Sequence, residues 1–160
     1  MKLLVALIQS VILAVIAWNY FDNTAQKYQA LAGLDTTTLA QRYLTEKVQI
    51  NGVEQPKYAS LAKAAAQSEK DITTGKNLVR AGAVKIGASR LAVAAGSAVG
   101  GFIAWFVAFF IVYITTKPLT TLLNSVWGNF VRYFLAPLIA ITFLGTGVIA
   151  VATEFLIQQL

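Results

Sequence analysis

The 160-residue chain is 57% hydrophobic and 12% charged, with a mean hydropathy of +0.63, which leaves too few polar groups to clothe a water-soluble fold. It contains neither cysteine nor histidine, which excludes disulfides, thiolate nucleophiles, imidazole bases and the usual zinc, haem and iron–sulfur ligands. The formal charge of +6 suits anionic lipid or nucleic acid, but multi-pass membrane chains carry the same basic excess simply to fix their orientation.

The first apolar run, Leu3 to Phe21, has 19 residues and would rise about 28 Å as a helix, close to the hydrocarbon thickness of a bilayer. Lys2 ahead of the run and small residues before Trp18 also fit a cleavable signal. The run is read as a retained anchor over residues 1–21, with Trp18, Tyr20 and Phe21 at the interface and Asp22 at the exit.

Residues 22–90 hold ten of the thirteen basic residues and six of the seven acidic ones, and form the water-facing segment. The run from Asp35 to Val48 predicts a short amphipathic helix capped near Asp35, with Leu39, Tyr43, Leu44 and Val48 on one side. Asn51-Gly52 is a turn signal: it either ends that helix or joins a tiny hairpin, and the helix end is preferred. Pro56 suits the first turn of a second amphipathic helix, in which Tyr58, Leu61, Ala62, Ala65 and Ile72 recur at helical spacing. After Gly75 the helix is expected to continue into the next span.

That span covers residues 91–116 and stops at Lys117-Pro118, since proline lacks an N–H and disfavours helix at the residue before it. A short interfacial loop, 117–132, carries Lys117, Trp127, Phe130 and Arg132. The third span and C-terminus occupy 133–160, where Pro137, Gly145 and Gly147 predict a kink or local thinning. The expected fold class is thus an all-α membrane protein with three spans: an N-terminal transmembrane anchor, a helical extramembrane segment and a C-terminal transmembrane hairpin.

Around the second span every fourth residue is small: Ala88, Ala92, Gly96, Gly100, Ala104 and Ala108. Residues four apart stack along a helix with about 40° of rotation per step, so these positions form a gently winding groove. Small-xxx-small rows let backbones approach closely in lipid, where no hydrophobic drive brings helices together. The groove admits another span of the same chain, another copy, a different subunit or, least favoured, a pore.

Just before this span, Lys76, Arg80, Lys85 and Arg90 form a basic run suited to anionic lipid headgroups or to simple solvation. Nucleic acid is disfavoured as a partner, because no aromatic side chains interleave with these cations. No cofactor or metal is expected. The chain is read as a non-enzyme: Glu69 and Asp71 diverge on their helix, no serine or threonine has a histidine partner, and no phosphate-binding or dinucleotide motif is present. Nor does any span carry an ionisable residue near its centre; Gln9, Ser10, Thr142 and Thr146 are its notable polar groups.

These features suggest a small structural or accessory subunit of a membrane assembly, such as a secretion apparatus, an energy-transducing complex or a virion membrane, docked to other subunits or to copies of itself. A holin- or channel-type pore former is the alternative, and an intramembrane enzyme a remote third. Lys2, Lys117 and Arg132 favour a cytoplasmic N-terminus in a bacterial inner membrane, with the polar segment and Glu154 on the outer side. The four cations before the second span argue weakly against that orientation.

Overall fold

The computed structural model describes residues 2–115 and 125–160. Three helices are long and apolar enough to cross a bilayer: Leu3–Leu31, Lys85–Thr115 and Val126–Gln159, with mean hydropathies of 2.0, 2.2 and 2.2. The elements in order are α1 (Lys2–Leu31), α2 (Thr36–Thr45), β1 (Lys47–Ile50), β2 (Val53–Pro56), α3 (Leu61–Thr115), α4 (Ser125–Phe130), a π-helical turn (Val131–Leu135) and α5 (Ala136–Gln159). The predicted stop at Lys117-Pro118 and the first part of the interfacial loop lie outside the described residues.

The chain forms two units, Met1–Asp22 with Ala88–Phe155, and Asn23–Gly87 with Leu156–Leu160. Within the first, Leu13 and Ser10 of α1 lie against Gly101 of α3, and Asp22 pairs with Arg90, so these helices run antiparallel. Gln9 meets Phe134 and Leu13 meets Gly145, so α5 runs parallel to α1. The buried rows are spaced mainly four apart: Ala6, Ser10, Leu13, Ala17 and Phe21 on α1, and Ile141, Ile149 and Thr153 on α5. Small residues are interspersed with large ones in these rows, which lets a large side chain meet a shallow place on its neighbour.

Leu13 shows the device most plainly. A Cβ built on Gly101 would stand 2.8 Å from one Leu13 methyl, and one on Gly145 would stand 2.7 Å from the other. One leucine knob therefore fills two glycine holes, and neither hole tolerates a side chain while Leu13 keeps its place. The predicted distortion of the third span is the π-helical turn, where the Ala136 N–H reaches five residues back to the Val131 carbonyl immediately before Pro137.

In the second unit, Asp35 caps α2. Its carboxylate accepts from the Thr38 N–H at 2.7 Å and from the Thr38 hydroxyl at 2.6 Å. Those bonds, the hydroxyl's first, hold the Asp35 carboxyl below its ordinary value of 3.8. A lowered folded pKa means the cap contributes in full above the ordinary value and is lost as pH falls through the lowered one. The protection factor of the Thr38 amide should therefore fall as pH drops through that lowered value, and Asp35→Ala should abolish this fall. An unchanged acid profile in the variant would remove Asp35 as its source.

Helix α2 ends at Thr45, six residues before the preferred stop signal at Asn51, because Glu46 is already extended (φ −67°, ψ 125°). Asn51 and Gly52, both at positive φ (53° and 81°), instead form the two-residue turn of a β1–β2 hairpin paired antiparallel from Lys47↔Pro56 to Ile50↔Val53. The helix-end reading is corrected accordingly. Pro56 closes a strand rather than opening a helix, and Ser60 stands just ahead of α3, its hydroxyl accepting from the Lys63 N–H at 3.4 Å. The expected apolar face is kept in part: Ile72 is buried and Tyr58 and Ala65 pack against the core, but Leu61 and Ala62 are exposed, and Ala64, Ser68, Asp71 and Leu78 are buried as well.

Three boundaries move as well. Residues 125–132 of the expected interfacial loop are helical, so the third apolar helix begins at Val126 rather than at residue 133. Helix α1 continues past Asp22 to Leu31, and α3, expected to run unbroken, is interrupted at Gly82 (φ 72°, ψ 166°), a conformation that only glycine adopts readily.

Candidate functional site

The small-residue row of α3 occupies two environments. Ala88, Ala92, Gly96 and Gly100 are exposed, Ala104 is half-buried and Ala108 is buried. Helical winding accounts for the change: five steps of about 40° carry the row roughly 200° around the helix, from the open side to the side that packs within the unit. Nothing lies within 4 Å of a Cβ built on Gly96 or Gly100.

The chain's own partner on α3 sits one residue further round. Val93, Gly101, Trp105 and Ala108 are the buried residues there, and Leu13 presses on Gly101 rather than on Gly100. The aromatic face divides in the same way. Trp105 is 1% exposed and stacks on Phe109 at 5.2 Å, which stacks on Tyr133 at 5.3 Å, while Phe106 and Phe110 point outward. Arg132 spans the next turn, donating to the Tyr113 carbonyl at 3.1 Å with its guanidinium 4.8 Å from that ring's centroid.

The four basic residues do not form one continuous helical face, since the break at Gly82 separates Lys76 and Arg80 from Lys85 and Arg90. Lys76, Arg80 and Lys85 are exposed. Arg90 is half-buried, bonded to Asp22 and lying over the Trp18 ring at 4.9 Å. A residue read as the exit marker of the first span thus anchors the entry of the second.

Sequence reasoning missed two polar constellations. Gln9 donates to the Phe134 carbonyl at 2.9 Å across 125 residues of sequence. Pro137 removes an N–H from that region of the helix, and Gln9 supplies a donor to a carbonyl of the widened turn. A polar residue deep in an apolar run, together with a proline in another, was the available signal.

The second constellation lies in the other unit. Asp71, 6% exposed, accepts from the Tyr43 hydroxyl and from Gln67 Nε2 at 2.8 Å. Tyr43 stacks on Tyr58 at 5.2 Å, and Lys57 lies 5.3 Å from the Tyr43 ring centroid while bonding Glu46 at 2.6 Å. Burial, and then the bond to Asp71, push the Tyr43 phenol upward, and the Glu46 bond raises Lys57. These side chains fasten α2 and the hairpin's base to α3.

Among the described residues no group of three or more His, Cys, Asp or Glu side chains is placed to hold a metal ion. Comparison with known protein families, curated proteins and solved structures finds no match. The fold itself defines a largely helical chain with three helices of membrane-spanning length and hydropathy.

Proposed function

We propose that the chain is a small integral membrane protein serving as a structural or accessory subunit of a larger assembly, and that it docks through the open row Ala88, Ala92, Gly96 and Gly100. The observation that carries this reading is the vacant surface above Gly96 and Gly100 beside a seam that the chain fills for itself at Gly101. A helix from another copy or another subunit can approach this row as closely as Leu13 approaches Gly101.

The outward faces support a bilayer as solvent. Leu7, Val11, Val99, Val107, Phe143 and Val151 are each more than half exposed, a distribution that water disfavours and lipid accepts. The helix directions put residue 2 at the same end as 115 and 125, opposite 22, 88 and 155. Applied to Lys2, Lys117 and Arg132, the positive-inside rule then favours a cytoplasmic N-terminus in a bacterial inner membrane. Lys76, Arg80 and Lys85 suit anionic headgroups or an acidic partner surface.

The double substitution Gly96→Leu with Gly100→Leu tests the docking face. Because both positions are open, the variant should keep the wild-type helix content and an unfolding midpoint at or above the wild type's, while its complex in native detergent dissociates. Unchanged complex size would remove the row as an interface. Dye release from empty liposomes by purified wild-type chain would instead favour the pore-forming alternative.

A further inference from the structure

Gln9 and Trp105 are each 1% exposed, and each keeps one polar atom without a partner: the amide Oε1 of Gln9 and the indole Nε1–H of Trp105. The register of the antiparallel pair sets them at the same level. Leu13 lies on Gly101, one turn back along α1 is Gln9, and one turn onward along α3 is Trp105. An acceptor without a donor on α1 and a donor without an acceptor on α3 thus lie at the same level of the pair.

An unsatisfied buried polar group is costly, and more so where the surroundings offer no solvent. The amide cannot simply turn over to present its other end, because Nε2 is held by the Phe134 carbonyl. A direct bond would have to draw Oε1 to the indole while that anchor is kept. A single water meets both needs, accepting from the indole and donating to the amide oxygen.

We propose that one buried water joins Trp105 Nε1 to Gln9 Oε1. The result is a hydrogen-bonded chain from α3 through α1 to the π-helical turn that precedes α5. Gln9 is then the polar node of all three apolar helices, setting their rotation as well as their depth, since slipping any one of them by a residue breaks the chain. This inference is independent of what docks on Gly96 and Gly100.

The test is nitrogen-15 NMR of the full chain in micelles, with the Trp105 indole resonance assigned by its loss in Trp105→Phe. The expected result is an indole proton that exchanges slowly with bulk solvent yet shows a cross-peak to water. In Gln9→Leu it should shift upfield and lose that cross-peak. A resonance that shifts in Gln9→Leu without any water cross-peak in the wild type would overturn the water in favour of a direct bond. A resonance indifferent to Gln9→Leu would overturn the pairing altogether. Should Gln9→Leu fail to fold, absence of the wild-type cross-peak alone overturns the proposal, and its presence, with slow bulk exchange, upholds it.

Discussion

Gly75→Ala should destabilise the protein, even though alanine is intrinsically the better helix residue by about 1 kcal/mol. A Cβ at this position would overlap the carbonyl oxygen of Tyr28 and come within 3.0 Å of the Ala32 nitrogen and 3.1 Å of the Ala32 Cβ. The first two obstacles are backbone, so no rotamer change relieves them, and α1 and α3 must separate where they cross in the polar unit. Overpacking of this kind costs about 1–3 kcal/mol, enough to reverse the propensity gain.

Gly87→Ala on the same helix is the control. Nothing lies within 4 Å of its Cβ, so the substitution should stabilise by roughly 0.5–1 kcal/mol. Denaturant midpoints in one detergent would compare the two. A Gly75→Ala midpoint at or above the wild type would mean that the helices do not approach this closely.

Tyr43→Phe should cost about 1–3 kcal/mol at neutral pH, because it removes one of the two side-chain donors to a buried carboxylate and leaves an Asp71 oxygen without its partner. Loss of the stacked ring is not the cause, since phenylalanine keeps the contact with Tyr58. The pH dependence supplies a second signature. Tyr43 titrates above the ordinary tyrosine value of 10.0 in the folded chain, so its contribution is complete below that value and declines as the pH rises beyond it toward the raised folded pKa. Wild-type stability should fall along an alkaline arm that Tyr43→Phe flattens. Equal stability of the two proteins at pH 7 would show that Asp71 does not depend on this hydroxyl.

How much of this was legible beforehand differs element by element. The three apolar helices and the Asp35 cap could be read because each depends on residues within a few positions of one another. The hairpin is not decided locally, because Asn51-Gly52 serves either role, and the end of α2 at Thr45 selects the hairpin. The face of α3 is legible only in part, at Tyr58, Ala65 and Ile72, for a related reason. Its buried side is set by Tyr43, Leu39 and the end of α1, so small and polar residues such as Ala64, Ser68 and Asp71 are covered while Leu61 stays exposed.

The candidate docking row shows the same division. Its spacing was visible in the sequence, but Gly100 and Gly101 differ by only about 100° around one helix, and spacing alone does not say which of them receives Leu13. Helix formation and transfer out of water are properties of single segments, governed by bonds four residues long and by side-chain polarity, and so the sequence by itself determined that three apolar helices flank a polar stretch. Only the tertiary structure decided which rows are spent within the chain and which stay open, and that Gln9 would meet Phe134 and Tyr43 would meet Asp71. Those pairings lie far apart along the chain and arise only when separate helices settle on one rotation and one register.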